Sequence, residues 1–266
     1  IALPLALVLG ILGVLNLAHG DFLTVGLYIT YMLYSKFNFD PLAAAIPVAL
    51  CLLVIGGIIY LLTVKNVLKD GHLNQLLITF GVSLILIEII NILWTSRPRN
   101  IFTTYSYSSM SIGNFSFGTY EFIYLFLALL VLVGLQWFLK KTRLGQATFA
   151  VGQNPRGAKI IGIDVKFVYL FVFSIAIAIL GLVAGTMLPR TSIFPAVGSP
   201  FSLKSFALAA MAGLGNLNGI LLAGITLGIG EAAVNAIPGY GGWSDLVFFG
   251  VLISVILTRS MRGAQQ

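Results

Sequence analysis

LAAAIPVALCLLVIGGIIYLLTV, residues 42–64, runs for 23 positions without a charged side chain, and its reading decides the fold. About 20 apolar residues in an α-helix cross the roughly 30 Å hydrocarbon core of a bilayer. The run is apolar on every face, whereas the strands of a membrane barrel alternate polar and apolar residues, so the sequence argues for a membrane helix and against a β-barrel.

Working outward toward the N-terminus, a hydrophilic joint with Lys36 and Asp40 precedes this span. Residues 22–35 before it supply only about 14 apolar positions, too few for a complete crossing. Residues 16–21, Asn-Leu-Ala-His-Gly-Asp, interrupt the apolar run 1–15 and place polar groups at or near membrane depth. Residues 1–18 carry neither a charged leader nor a persuasive cleavage site, so they read as a span cut short rather than as a signal peptide.

Toward the C-terminus, Lys65, Lys69, Asp70 and His72 form a basic turn, and residues 73–94 span next, carrying Glu88. The polar segment 95–119, rich in Ser, Thr, Asn and Tyr, is placed outside. Residues 120–139 return, 167–188 cross again, and 190–204, with Pro195, Gly198 and Pro200, form another external loop. Residues 205–237 would extend roughly 50 Å as one helix, too long for one span and short for two. Gly213-Leu214-Gly215-Asn216-Leu217-Asn218-Gly219 breaks the run in its middle. Pro238 and the residues up to Gly242 turn the chain, Trp243 anchors an interface, and 246–258 lead to Arg259 and Arg262. The expectation is an all-α polytopic membrane protein, one transmembrane unit over residues 1–266, with about eight or nine transmembrane elements, some broken or half-length.

Composition agrees: 59% hydrophobic residues against 9% charged, with a mean hydropathy of +1.03, excludes a water-soluble domain. The net charge of +7 sits in loops, without a basic-aromatic module, so it reports orientation and not nucleic-acid binding. Loops assigned inside hold 10 of the 15 Lys and Arg residues, leaving Lys36, Arg97, Arg99, Arg190 and Lys204 elsewhere; this bias follows the positive-inside rule and puts the C-terminus in the cytoplasm. Cys51 is the only cysteine, which excludes an intrachain disulfide and a thiolate metal site, and it reads as a packing residue.

The long basic interruption is LKKTRLGQATFAVGQNPRGAKIIGIDVK, residues 139–166, with six cations against Asp164 alone. Asn154-Pro155 is a helix start, since Asn caps free N–H groups and Pro has none to lose. Gly162 is a left-handed stop, leaving about two turns, roughly 10 Å. Two readings stay open: an interfacial loop touching anionic headgroups, or a docking knob of Asn154, Pro155, Arg156, Gly157, Ala158, Lys159, Ile160, Ile161 and Gly162, whose isoleucines enter a partner's groove.

No phosphate loop, zinc motif or nucleophile elbow is present, so no catalytic or metal residue is assigned and any ATP chemistry belongs to another subunit. Backbone unwound at membrane depth is tolerated where protein or a water-filled cavity receives it, so the paired breaks point to a translocation route through Asn16, His19, Asp21, Gly213, Gly215 and Asn216. The bland alternative is that glycines only let helices approach, as expected of Gly181/Gly185 and Gly224/Gly228. Glu88 and Glu231 lie within spans, where a carboxylate is protonated, partnered or functional. A structural partner is expected for both, and Glu88 is also counted among the candidate pathway residues.

These motifs resemble those of a known family. Asn16-Leu17-Ala18-His19-Gly20-Asp21-Phe22 followed by Gly26 is similar to the N-x-A-H-G-[DE]-F signature of the permease subunits of branched-chain amino-acid ABC importers. Thr142 to Ala147 (TRLGQA), Gln153-Asn154-Pro155, Ala158 and Gly162-Ile163 resemble its coupling loop, and Gly213-Leu214-Gly215-Asn216, Gly219 and the 259–263 tail its C-terminal third. The resemblance implies a bacterial inner-membrane permease half that pairs with a related permease, two cytoplasmic ATPases holding ATP and Mg, and a periplasmic solute-binding protein, with 154–162 as the coupling helix and no cofactor in this chain. Related sugar permeases carry a G-I-D-L-S-V-G-like segment where this chain has Ala18 to Phe22, a departure that argues against a sugar. Urea and short-amide permeases share the A-H-G-[DE] form. The shortened first span is a second departure. An ion-coupled secondary transporter using Glu88 or Glu231, or a membrane scaffold, are the readings from other classes.

Overall fold

The computed structural model describes residues 1–68, 70–106, 108–112, 115–213, 216–237, 239 and 241–263, and for 110–112, 115–117, 241, 256 and 258–263 the backbone alone. The chain folds as helices joined by short connections. They are α1 (Ala2–Leu12), α2 (His19–Phe37), α3 (Pro41–Ile59), α4 (Lys65–Val67), α5 (His72–Trp94), α6 (Thr119–Lys141), α7 (Arg143–Gln153), α8 (Pro155–Ile160), α9 (Val165–Met187), α10 (Ser199–Ala212), α11 (Leu217–Asn235) and α12 (Ser244–Gly263). A π-helical turn, Tyr60–Val64, carries α3 into α4. One antiparallel hairpin, β1 (Ser109–Ile112) with β2 (Phe115–Gly118), ornaments the 95–119 segment.

Five helical runs among the described residues are long and apolar enough to cross a membrane: Pro41–Val67, His72–Trp94, Thr119–Lys141, Val165–Arg190 and Leu217–Asn235. Ala2–Leu12 and Ser244–Val255 are shorter apolar helices. The chain is therefore a polytopic helical membrane protein.

The bundle is built on α9, which packs against α1, α2 and α3 and is buried nearly all round from Val172 to Thr186. Between lipid-solvated helices there is little hydrophobic drive, so close backbone approach and dispersion carry the contact. A Cβ on Gly181 would lie 2.5 Å from the Ala49 Cα, and one on Gly185 would lie 2.7 Å from the Ala45 Cα. Those glycines meet α3 as the sequence implied. Gly224 and Gly228 do not behave likewise: a Cβ on either meets nothing within 4 Å among the described residues. Cys51 also departs from expectation, since it is exposed on α3 and does not pack. Aromatic contacts close the centre, with Phe173 edge-on to Phe22 at 6.2 Å and 5.8 Å from Tyr60, which the π turn delivers.

One end of the bundle is tied by its loops. Arg99 exchanges both backbone bonds with Ile193, donates to the Trp94 carbonyl at 2.7 Å and covers the Tyr31 ring. Arg190 donates to the Ser106 carbonyl and to Glu121, at 2.8 and 3.0 Å. Tyr120 donates to the Thr186 carbonyl at 2.7 Å. Lys204 is 2.5 Å from Glu231 and 2.8 Å from Asp245. Three of the five cations left over by the charge bias thus have structural partners, and Glu231 has the partner expected of it.

Gly181→Val drives a methyl into the α3 backbone and is expected to cost on the order of 3 kcal/mol, seen as lost monodispersity and a lower melting temperature in detergent. Gly224→Val, in open space, leaves both unchanged. Equal behaviour of the two variants would remove the α3–α9 contact from the centre of the fold.

Candidate functional site

The first break lies earlier than the motif suggested. Gly13, at φ +67°, ends α1, residues 13–18 are unwound, and His19, Gly20 and Asp21 already belong to the first turn of α2, which reaches Phe37. The reason is local: the positive φ at Gly13 stops α1, and the Ala18 carbonyl accepts the Asp21 and Phe22 N–H groups, starting α2.

What receives the unwound backbone comes from other helices. Thr79 Oγ1 of α5 accepts from the Leu17 N–H at 3.2 Å and lies 3.2 Å from the Leu15 carbonyl. Ser202 Oγ of α10 accepts from the Gly20 N–H at 2.6 Å and donates to the Leu17 carbonyl at 3.0 Å. Asn16 Oδ1 accepts from the Ala18 N–H at 3.1 Å. A Cβ on Gly20 would fall 1.9 Å from the Gly198 carbonyl oxygen, and one on Gly198 equally close to that of Gly20, so α10 starts directly on the backbone of α2. Thr79 and Ser202 were missed by the motif search. The signal for Ser202 was faint: Ser199, Ser202 and Ser205 lie three apart in a helix whose other polar residue is Lys204.

His19 and Asp21 are 0% and 1% exposed. The His19 Nε2–H donates to the Ile1 carbonyl at 3.0 Å, and Ser199 Oγ stands 3.5 Å from Asp21 Oδ1. Among the described residues Asn16 Nδ2, His19 Nδ1 and Asp21 Oδ2 are buried with no hydrogen-bond partner.

The second break falls where expected. Gly213, at φ +88°, follows α10, and Asn216 caps α11 by accepting from the Gly219 N–H at 3.0 Å. Gly215 lies outside the described residues. α10 and α11 pack on each other, as a chain turning back requires.

The basic stretch contains two helices where the sequence showed one. α7 is capped by Thr142 Oγ1, which accepts from the Gly145 N–H at 2.9 Å, and it packs on α1, where a Cβ on Gly152 would meet Ile11. Propensity concealed it, because RLGQATFAVGQ carries two glycines and little apolar length. α8 matches its reading. Asn154 Oδ1 accepts from the Gly157 N–H at 2.9 Å, Pro155 opens the helix, and Gly162 sits at φ +87°. The Ile163 N–H reaches the Ala158 carbonyl and the Gly162 N–H that of Lys159, a Schellman ending. Ala158 is buried in the core, whereas Ile160 and Ile161 stand 86% and 73% exposed. Arg156 and Lys159 are exposed beside them.

These parts meet. A cavity of about 710 Å³ is lined by Gly10 and Ile11 at the end of α1, by Gln136 and Lys140 of α6, by Gln146 and Gln153 of α7, and by Asn216 at the second break. Gln136 donates to Asn218 Oδ1 beside it. Glu88 is not brought there. It is exposed on α5, and the structural partner expected for it does not appear among the described residues.

Comparison with known proteins fits the arrangement. A permease protein of Methanocaldococcus jannaschii, named a probable branched-chain amino acid transport permease LivH, is 29% identical and covers 97% of this chain and 83% of its own length. The high-affinity branched-chain amino acid permease BraD of Pseudomonas aeruginosa is 28% identical, covering 97% and 88%. LivH of Escherichia coli K12 is 26% identical, covering 97% and 87%. No solved structure matches. Residues 1–256 match the family described as branched-chain amino acid transport system / permease component. With both breaks, the glycine contact and the capped basic-end helix inside that matched span, the chain belongs to this family of transport permeases.

Proposed function

We propose that this chain forms half of the translocation pathway of an ATP-driven importer of amino acids, branched-chain or other apolar ones, and that it takes its mechanical input at α8. One observation carries the reading: the exposed isoleucine tip of α8 is continuous with α7, and α7 borders the cavity at which the end of α1 and the second break also lie.

Asn154 is at once the C-cap of α7 and the N-cap of α8, so the two short helices share a residue and leave no slack between them. A cytoplasmic ATPase would seat Ile160 and Ile161 in an apolar groove, with Arg156 and Lys159 facing acids on its rim. Closure of the ATPases would then move α7 against Ile11. Because packed interfaces transmit strain and do not absorb it, the displacement reaches the 13–18 break and, through Ser202, α10. The unpartnered buried atoms of Asn16, His19 and Asp21 are where polar bonds could be exchanged during that movement.

The remaining parts follow from the same reading: a second permease chain, two ATPases holding ATP and Mg, and a periplasmic solute-binding protein, in the inner membrane with the basic end and the C-terminus cytoplasmic. The resident chemistry of this chain is binding and movement, without a cofactor. The ion-coupled alternative loses support at Glu231, whose carboxylate is held by Lys204. A urea or amide solute is separated from an amino acid by uptake assays.

Ile160→Asp should lower ATPase co-purification at least about tenfold, the loss of an apolar hot spot worth more than about 1.4 kcal/mol, without changing insertion or melting temperature. Full recovery of the complex would discard α8 as the docking helix. Thr79→Val leaves the Leu17 N–H without its acceptor, which is expected to cost about 1–3 kcal/mol and to slow uptake while complex yield holds; wild-type stability and uptake would mean that water already serves the break. In proteoliposomes, leucine uptake should require ATP and the ATPase subunits and should survive an uncoupler. Uptake with the opposite pattern would favour the ion-coupled reading.

A further inference from the structure

The cavity beside α7 has an amphiphilic lining. Its wall is apolar, with Leu7 and Ile11 of α1 and the exposed ring of Phe149, while Lys140, Gln146 and Gln153 supply a cation and amide donors. Its volume of about 710 Å³ is that of a ligand pocket, a class that runs from roughly 300 to 1,000 Å³. It lies at the end of a span, where α6 leaves the hydrocarbon at Lys140 and Lys141 and turns sharply into α7. The turn is tight, since a Cβ on Gly145 would lie 2.0 Å from the Phe138 carbonyl oxygen.

The charge beside it is uncompensated. Lys140, Lys141 and Arg143 are exposed and enter no ion pair among the described residues. Asp164, the acid of the same stretch, has a carboxylate oxygen accepting from the Lys166 and Phe167 N–H groups at the start of α9. An apolar pocket at a bilayer boundary with a cation and amide donors among its lining, and two further unpaired cations nearby, is complementary to an amphiphile with an anionic head.

We propose that this cavity binds one anionic phospholipid of the leaflet at the basic end, its phosphate held by Lys140 with the amides of Gln146 and Gln153, and an acyl chain lying on Leu7, Ile11 and Phe149. Gln146 already donates from Nε2 to the Lys140 backbone carbonyl at 3.3 Å, which ties α7 to the end of α6 at the cavity wall. The bound lipid touches α1, α6 and α7 together. Its occupancy therefore bears on the spacing between α7 and the end of α1.

The test is native mass spectrometry of the full chain purified in mild detergent from bilayers of equal phosphatidylglycerol and phosphatidylethanolamine. One retained phosphatidylglycerol per chain is expected, preferred about fivefold over phosphatidylethanolamine, the preference that one cation near a charged surface supplies. Lys140→Glu abolishes the preference, and Gln146→Trp, which fills the mouth, abolishes retention of either lipid. Lys65→Glu, an exposed cation outside the cavity, keeps both. Both test positions are exposed, and insertion and melting temperature are checked for each variant against wild type. Inorganic phosphate at millimolar concentration leaves the bound lipid in place; displacement by phosphate would show that the site takes free anions, and would overturn the lipid assignment. Equal retention of the two lipids, no retention, or loss in Lys65→Glu would overturn it too, as would protection of the cavity residues by a protein partner instead of lipid.

Discussion

The structure rests on the hydrogen bonds that an unwound stretch of backbone needs inside an apolar bundle. Residues 13–18 are unwound, and in hydrocarbon a peptide group left without a partner costs several kcal/mol. The groups that answer it, Thr79 and Ser202, sit 62 and 182 residues away from their donors in the chain. The break thus ties α5 and α10 to the joint between α1 and α2. A polar contact in this position is directional and discrete, so the joint has defined bonded states and not a continuum of bends.

Around that joint the packing is asymmetric. The α2, α3 and α9 contact is closed by glycines that admit backbone to within van der Waals distance, and close-packed interfaces of this kind behave as rigid bodies. α6 and α11 are far less enclosed and present apolar side chains outward, Phe122, Phe126 and Trp137 on one, Leu222 and Ile229 on the other. A rigid centre beside loosely held helices suits a permease, because motion concentrates in the elements with the fewest buried contacts. The end tied by Arg99, Arg190 and Tyr120 is cross-linked by loops, while the basic end carries two short helices seated on α1 and α9, with Ile160 and Ile161 left exposed.

Charge is divided along the same axis. Lys140, Lys141, Arg143, Arg156 and Lys159 are exposed at the end where α7 and α8 project. Arg99, Arg190 and Lys204 are committed to carbonyls and carboxylates within the fold. The same residue type thus does two jobs, and sequence counting sees only their sum.

Much of this was legible in the chain itself. The uncharged run at 42–64 fixes a membrane helix because 23 apolar residues have no other stable home. Asn154, Pro155 and Gly162 fix α8 because capping and left-handed turns are local, set by a residue and its neighbours within five positions. The break at 213–219 is a local pattern as well, whereas glycines four apart are not decisive, since Gly181/Gly185 meet α3 and Gly224/Gly228 meet nothing among the described residues. What only the tertiary structure decided are the relations between distant residues: that the first break begins at Gly13 and closes at Ala18, that Thr79 and Ser202 serve it, that α7 is a helix despite its glycines, and that, among the described residues, Gly224 and Gly228 meet no neighbour and Glu88 no partner. Each depends on which surfaces meet. A sequence states what a segment can bond to, but the identity of the partner depends on the folded arrangement of segments tens to hundreds of residues apart.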